Sequence, residues 1–394
     1  MINKNIPKLR FKGFHDEWEK DLYGNKIVSL ATKHYITSNL DVDGEFAVIQ
    51  QGDNPTLGFS NDIPFKNYEN VILFGDHTLS LFNPSIPFLL ATDGLKILQA
   101  NEFEKNFLFY ITQKYIPESQ GYKRHFSILK STYIYFSNNT LEQSAIGTLF
   151  QTLDELLSAY KDNLANYQAF KATMLSKMFP KAGQTTPEIR LDGFDGEWEE
   201  KTLGKMADII DGDRGKNYPT EADFATIGHT LFLSANNITK VGLEFINCQF
   251  ISQEKSNNMG KGQVLLDDIV LTSRGSIGHL AYFSQEVFDL FSSIRINSGM
   301  LIIRRKNDLN SKYLITSLNS PSGNKQLNKL SFGSAQPQLT KRGVESINIF
   351  VPNLDEQYAI GTFFANIDDL IASQQAKIAE LETLKKKLLQ DMFL

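Results

Sequence analysis

The sequence predicts an α+β protein built as an internal duplication, in which two mixed α/β regions alternate with two long helices. Three observations lead to this prediction. A motif in residues 7–24 returns at 187–204, and a segment at 142–179 returns at 356–393. Both copies of the second segment place apolar residues three or four positions apart, which is the spacing of one helix face. Each half of the chain therefore holds the same parts in the same order.

Composition limits the class of protein. A length of 394 residues predicts two or three domains. Apolar residues make up 41% and charged residues 22%, as in ordinary globular proteins, and no apolar run is long enough to span a membrane. The N-terminus has no signal-like run, and Cys248 cannot form an internal disulfide, so we expect a cytoplasmic protein. A net charge of -5 excludes a uniformly basic nucleic-acid binder but not a locally basic one.

The first motif opens each half and contains both tryptophans of the chain. Its matches keep an offset of 180 without a gap, and they are Pro7, Arg10, Gly13, Phe14, Glu17, Trp18, Glu19 and Gly24 against Pro187, Arg190, Gly193, Phe194, Glu197, Trp198, Glu199 and Gly204. The polar linker 180–187, with proline at both ends, separates the halves.

The variable regions, 25–140 and 205–353, have little sequence similarity to each other. Both predict a mixture of strands, loops and short helices. The strand-like runs are Glu45–Gln50, Val71–Phe74, Tyr133–Phe136, Val264–Leu266, Ile269–Thr272, Met300–Arg304 and Ile347–Val351. Short helices are predicted at Lys105–Tyr115 and Ser311–Leu318.

The long segments close each half and repeat at an offset of 214, from Glu142-Gln143 to Phe179 in the first copy. Their narrow apolar stripe favours a coiled-coil seam in which each helix is the partner of the other. The alternative is two amphipathic helices in separate cores. The predicted seam residues are Ile146, Leu149, Leu153, Leu156, Leu164, Ile360, Phe363, Ile367, Leu370, Ile378 and Leu381. The predicted boundaries are 1–140, 141–179, 180–353 and 354–394.

Basic charge is concentrated just before each long helix. Residues 119–141 contain no acidic residue, while residues 290–344 contain nine basic residues and one acidic residue. Lysine and arginine suit phosphates, and arginine, asparagine and glutamine can read base edges. A single basic loop is more often only a solvated surface, but two at equivalent places in a duplicated chain favour DNA contact.

The sequence offers no catalytic constellation. Its six histidines lie far apart and lack metal-ligand spacing, and Gly212–Lys216 lacks the spacing of a phosphate loop. Asp192 with Glu199-Glu-Lys201 faintly resembles a metal-nuclease pattern, but the first copy does not reproduce it. We therefore interpret the chain as a binding and scaffolding protein.

The two repeated motifs together resemble the specificity subunit of type I restriction–modification systems. The runs Leu233–Ile238, Leu271–Gly278 and Gly333–Thr340 share this resemblance, which covers essentially the whole chain. It implies two α/β target recognition domains separated by two conserved helices, which pair as an antiparallel coiled coil around a pseudo-two-fold axis. Each recognition domain would read one half of a split, asymmetric DNA site, with half-sites on the order of ten base pairs apart centre to centre.

The resemblance also implies partners and cofactors. The partners are double-stranded DNA, two methyltransferase subunits and two motor-nuclease restriction subunits, with no membrane. The chain itself would be non-catalytic and bind no cofactor, because S-adenosylmethionine, ATP and magnesium would lie on the partner subunits.

We predict DNA-contact residues by combining the resemblance with local charge. The candidates are Tyr122, Lys123, Arg124, His125 and Lys130 in the first recognition domain, and Asn236, Asn237, Arg274, Gln336, Gln338, Lys341 and Arg342 in the second. We align Phe74-Gly75-Asp76 with Ser273-Arg274-Gly275, so the contacts of the first domain depart from those of the second.

Two other functions compete with this hypothesis. A coiled-coil protein–protein scaffold would bind partners but show no salt-dependent DNA binding. A self-sufficient nuclease or methyltransferase would be active as a purified chain, and the missing motifs argue against it.

Overall fold

A computed structural model describes residues 5–121, 123–240, 242–331 and 338–394, with the backbone alone for residue 331. The chain forms two compact units. Unit 1 comprises the chain up to Asn163 together with Gln374–Leu394, and unit 2 comprises Leu164–Ser373. Each long helix therefore begins in one unit and ends in the other.

Unit 1 contains nine of the described strands. They are β1 Glu19–Leu22, β2 Val28–Leu30, β3 Phe46–Ile49, β4 Thr56–Ser60, β5 Ile72–Gly75, β6 Leu81–Phe82, β7 Phe88–Leu90, β8 Leu95–Gln99 and β9 Tyr133–Phe136. Its helices are α1 Tyr23–Lys26, α2 Lys105–Tyr115, α3 Phe126–Lys130 and the first part of α4 Thr140–Lys177.

Unit 2 follows the same order with additions. Its strands are β10 Glu199–Thr202, β11 Ala207–Asp211, β12 Thr230–Leu233, β13 Ile238–Thr239, β14 Gly242–Leu243, β15 Phe250–Ile251, β16 Ile269–Thr272, β17 Leu280–Tyr282, β18 Ile294–Ile296, β19 Met300–Arg305 and β20 Asn348–Val351. Its helices are α5 Leu203–Met206, α6 Gln253–Asn258, α7 Gln285–Leu290, α8 Ser311–Asn319, α9 Pro321–Ser331, α10 Lys341–Glu345 and the first part of α11 Leu354–Asp391.

The sheets of the two units share one topology. The four-stranded sheets have the orders β2-β8-β5-β6 and β11-β19-β16-β17, and the three-stranded sheets have the orders β4-β3-β7 and β15-β12-β18. In each three-stranded sheet the central strand has one antiparallel and one parallel neighbour. Variable regions with little sequence similarity therefore adopt the same fold, which confirms the predicted α+β duplication.

One predicted strand is absent from the described chain. Val264–Leu266 form a connection with a turn, in which the Asp268 carboxylate accepts a hydrogen bond from Leu265 N at 2.7 Å. A short apolar run does not by itself distinguish a strand from a buried connection, because its side chains can be covered in either state.

The repeated motifs fasten each opening segment to the start of a long helix. In unit 1, Arg10 donates to both carboxylate oxygens of Glu142, at 2.5 and 2.8 Å. In unit 2, Arg190 contacts both oxygens of Glu356 at 2.7 Å. Both glutamates are fully buried, and these hydrogen bonds raise the pKa of both guanidinium groups. The duplicated Arg…Glu pattern is thus a buried bidentate ion pair.

The next motif residues, Gln143 and Gln357, hold the starts of the short helices α2 and α8. Gln357 accepts from Asn310 N at 2.9 Å and donates to two backbone carbonyls. Gln143 makes the equivalent set of bonds in unit 1. A Cβ at Gly361 would lie 2.9 Å from Tyr313 N, so this position needs glycine for close helix approach.

The long helices form a heptad seam with alternating spacings of four and three. Its buried or half-buried positions are Ile146, Phe150, Leu153, Leu157, Tyr160, Leu164, Tyr167, Lys171 and Met174 in α4 with Met178 just after it, and Ile360, Phe364, Ile367, Ile371, Gln374, Ile378, Leu381, Lys385 and Leu388 in α11 with Met392 just after it. The predicted residues Leu149 and Phe363 are half-buried beside this seam.

Two predicted seam positions require correction. Leu156 and Leu370 are 40% and 43% exposed, while their neighbours Leu157 and Ile371 face inward. The sequence pattern allowed a step of three or four residues after Leu153, and packing selects four. The same shift occurs in both copies.

Ion pairs show that the helices run antiparallel within each unit. In unit 1, Lys385 binds Asp154, and Lys161 lies 2.7 Å from Glu382. In unit 2, Lys171 binds Asp368, and Phe179 packs against Phe364 with ring centroids 6.3 Å apart. Residue numbers rise along one helix as they fall along the other, as antiparallel pairing requires.

The residues just after each long helix complete a core next to a motif tryptophan. In unit 1, Phe393 packs against Trp18 and Phe107, with ring centroids 5.9 and 5.7 Å apart. In unit 2, Phe179 packs against Trp198 at 6.1 Å and against Tyr313 at 5.8 Å. Each core therefore combines the opening motif of one copy with the helix end of the other.

Candidate nucleic-acid interface

The basic stretch of unit 2 lies against one end of the four-stranded sheet, where β16 finishes and β19 begins. Ser273 N and Arg274 N donate to Gly299 O, at 2.8 and 3.2 Å. Leu339 N then donates to Ser273 O at 3.0 Å. These bonds bring two distant parts of the sequence together. We call this end of the sheet the loop edge, defined in unit 2 by Gly212, residues 273–278 and Gly299.

Arg274 is exposed on the loop edge. It precedes Gly275, whose φ of +73° favours glycine in this tight turn. Its Nε donates to Oε1 of Gln338 at 3.1 Å, and this hydrogen bond orients the guanidinium. An arginine fork of this kind suits bidentate recognition of a guanine edge or a phosphate.

Lys341 and Arg342 are exposed in the first turn of α10. Thr340 caps this helix by accepting from Gly343 N at 3.1 Å, and Lys341 lies 3.7 Å from Glu345. Both cations are held on an ordered element next to the Arg274 turn, which suits contact with phosphates.

The two predicted asparagines have different roles. Asn236 is exposed, and it remains a candidate. Asn237 is buried, where it accepts from Ser234 N at 2.9 Å and donates to Glu244 O at 3.1 Å. Because its side-chain amide makes these hydrogen bonds within the loop and is buried, Asn237 is not a candidate for DNA contact.

Unit 1 has an equivalent loop edge. Asp76 N donates to Gly94 O at 2.8 Å, as Ser273 N does to Gly299 O, and His125 N donates to Asp76 O at 2.9 Å. These bonds correct the predicted alignment. Asp76 is the counterpart of Ser273, so His77 stands in the place of Arg274, and Phe74 and Gly75 belong to the strand.

The predicted residues of unit 1 divide by exposure. Lys123, Arg124 and Lys130 are exposed. His125 is fully buried, and its ring nitrogens contact Gln120 N at 3.0 Å and Asp76 O at 3.1 Å. It therefore supports the loop and presents no free ring nitrogen to DNA. Tyr122 and Gln336 lie outside the described residues.

Sequence reasoning missed Arg214 and Lys216. Both are exposed in the turn after β11, and Arg214 Nη2 donates to Ser298 O at 3.1 Å, next to the loop edge. From the sequence alone, the turn is recognisable only as a loop that lacks phosphate-loop spacing. The sequence signal was two cations in one glycine-containing turn, but their place beside the loop edge depends on the sheet topology.

The described residues do not meet the requirements of a metal site or of a membrane-spanning helix. Its side chains provide no group of three or more His, Cys, Asp or Glu residues that could hold a metal ion. The helices searched in the described ranges include none that could cross a membrane.

Residues 195–383 match the family model described as the type I restriction modification DNA specificity domain. This match covers 189 of the 394 residues, just under half of the chain, and this region is therefore similar to the type I restriction–modification specificity family. The matched region contains the loop edge of unit 2 and most of α11.

Comparisons with individual proteins agree with this family. The MjaVIII specificity subunit of a type I restriction enzyme from Methanocaldococcus jannaschii is 22% identical over 253 residues, which is 63% of this chain. The match spans 58% of that relative, less than two thirds of its length.

Solved structures share the fold. The crystal structure of the type I restriction–modification S subunit from M. genitalium aligns with a TM-score of 0.64 at 16% identity, covering 99% of each chain. A chain from a structure described as showing complex assembly and conformational transition of the type I R-M system aligns with a TM-score of 0.51 at 16% identity, covering 95% of this chain and 97% of the other.

Proposed function

We propose that this protein reads a bipartite, asymmetric DNA target, one half-site with each unit. The observation that carries this proposal is the repeated loop edge, at which a basic stretch meets the end of the same sheet in both units. The target is asymmetric because the residues at the two loop edges differ. Unit 2 presents Arg274 where unit 1 has His77.

The second part of the proposal concerns partners. The protein recruits two methyltransferase subunits, and two motor-nuclease subunits join them for restriction. An internal duplication offers each of two identical partners an equivalent surface, as closed symmetry requires. We place S-adenosylmethionine, ATP and magnesium on those partners, and this chain supplies recognition without catalysis.

The deciding experiment is co-expression with type I methyltransferase subunits followed by genome-wide mapping of methylated adenines. We expect one split motif with a fixed gap. A stable complex that binds no DNA would instead support the protein–protein scaffold, and methylation at an unsplit motif would contradict two half-sites.

Arg274→Ala tests the loop edge directly. If Arg274 reads a base, methylation should relax at one position of one half-site while the other half-site stays unchanged. Lys205→Ala, at the opposite end of β11, is the matched control because it is also exposed. Unchanged methylation and unchanged affinity in Arg274→Ala would exclude Arg274 from the interface.

Helix length tests the spacing of the half-sites. Both α4 and α11 connect the two units, so adding one turn to each at repeat-equivalent positions should change the length of the unread gap. Retention of the original gap by a folded, methylating variant would refute this part of the proposal.

A further inference from the structure

Two loops of unit 2 are joined beside its loop edge by a single carboxylate. Asp213 Oδ1 accepts from Gly215 N within its own loop, and Oδ2 accepts from Gly260 N in the second loop, both at 2.7 Å. These backbone hydrogen bonds, that of Gly215 first, lower the pKa of Asp213. Residues 212–216 and 259–261 are thus held as one surface.

A buried arginine holds the second loop from inside the domain. Arg295, on β18, donates Nη1 to Lys261 O at 2.8 Å and Nη2 to Met259 O at 3.4 Å. Its Nε donates to Ser256 Oγ at 2.8 Å. The 259–261 loop therefore has its amides bound by Asp213 and its carbonyls bound by Arg295.

Three exposed cations project from this double loop, namely Arg214, Lys216 and Lys261. Arg214 also lies 3.8 Å from Asp211, which offsets part of its charge. Its Nη2 bond to Ser298 O places it next to Gly299, whose carbonyl binds Arg274 N. The surface is therefore continuous with the loop edge.

At the equivalent described positions, unit 1 lacks both groups that fasten this surface. Strand registers identify the equivalent positions. Phe232↔Arg295 in unit 2 corresponds to Val48↔Leu89 in unit 1, so the buried Leu89 replaces Arg295. The register of β2 with β8 and of β11 with β19 likewise places the exposed Lys33 where Asp213 stands.

We propose that Arg214, Lys216 and Lys261 form a basic clamp for DNA phosphates at the half-site read by unit 2, and that the described part of unit 1 has no equivalent clamp. The inference rests on the proposed DNA-reading function. Loops that are already fixed lose little conformational entropy on binding, so their cations contribute more of their attraction to affinity. The clamp positions the duplex and leaves sequence reading to the loop edge.

The test uses the full chain in complex with methyltransferase subunits and a duplex that carries the mapped target. Affinity is measured across a range of salt concentrations for Lys216→Ala, Lys261→Ala and the control Lys205→Ala. We expect each clamp variant to reduce the slope of log affinity against log salt by about 1, with the methylated sequence unchanged. The control should keep the wild-type slope.

A second measurement locates the clamp on DNA. Neutral methylphosphonate linkages are placed in turn through each half-site. Neutralising phosphates at the unit 2 half-site should weaken the wild type more than the Lys216→Ala/Lys261→Ala double variant. The clamp is refuted if neutral linkages reduce the affinity of both proteins equally, or if the clamp variants keep the wild-type slope of log affinity against log salt. Either result leaves the proposed DNA binding intact. Absence of salt-dependent binding in the wild type overturns the proposed function as well.

Discussion

Replacing Arg190 by methionine should destabilise unit 2 because it leaves a buried carboxylate without its counter-charge. Glu356 is fully buried, and Arg190 supplies two hydrogen bonds of 2.7 Å to it. Removing one partner of such a pair lowers the free energy of unfolding by about 3–5 kcal/mol. Methionine keeps much of the arginine's volume, so the decrease in the free energy of unfolding comes mainly from loss of the ion pair and less from a cavity.

The repeat supplies a matched comparison in unit 1. Arg10→Met removes the equivalent guanidinium, but Trp18 Nε1 still donates to Glu142 at 3.3 Å. In unit 2, Trp198 Nε1 meets no acceptor in the described structure. A hydrogen bond to a charged group contributes about 1.5–3 kcal/mol, and the Trp18 bond is long. Arg10→Met should therefore lower the free energy of unfolding by about 1 kcal/mol less than Arg190→Met does.

The two tryptophans provide the assay, because each unit contains one. Denaturant unfolding followed by fluorescence in a Trp18→Phe background reports unit 2, and a Trp198→Phe background reports unit 1. A loss below about 1 kcal/mol for Arg190→Met would refute the reasoning from a buried, unpaired charge. So would an equal or larger loss for Arg10→Met, because the Trp18 hydrogen bond would then contribute nothing.

Three further predictions follow from the packing. Gly361→Ala should lower the free energy of unfolding of unit 2 by about 1–3 kcal/mol, because the added Cβ would lie 2.9 Å from Tyr313 N and overpack the contact. An unchanged denaturation midpoint would contradict the close approach. Lys171→Asp should lower the free energy of unfolding by about 0.5–1 kcal/mol, and the double variant Lys171→Asp/Asp368→Lys should restore it. A double variant that restores nothing would contradict the antiparallel register. Because the pKa of Asp213 is lowered on folding, its contribution to stability is present above its unfolded pKa and is lost as pH falls through its folded pKa; Asp213→Asn should therefore weaken the acid dependence of stability, measured by denaturant melts below pH 5.

The sequence predicted the duplication and the long helices well because both depend on repeated local patterns. The predicted helix Lys105–Tyr115 has those bounds in the structure, and α4 and α11 begin within one residue of their predicted starts. The heptad phase was less certain because Leu156 and Leu157 are both apolar, and only packing against the partner helix distinguishes them.

The candidate interface was predicted only in part, since charge alone does not determine exposure. Lys341 and Arg342 are exposed as a basic loop suggests, but His125 and Asn237 are buried because their side chains bind backbone groups of neighbouring loops. Arg214 was missed because its proximity to Gly299 depends on sheet topology, which brings together residues far apart in sequence.

The packing of Phe393 against Trp18 has a consequence for the order of folding. Unit 2 is one continuous stretch of chain, Leu164–Ser373, whereas unit 1 closes its core with residues synthesised after all of unit 2. Contacts between distant parts of a sequence form slowly because a long loop must first be closed. The half that leaves the ribosome first should therefore be the last to reach its native state, and until then the partly exposed core around Trp18 is the part of the nascent protein most open to aggregation or to protection by a chaperone.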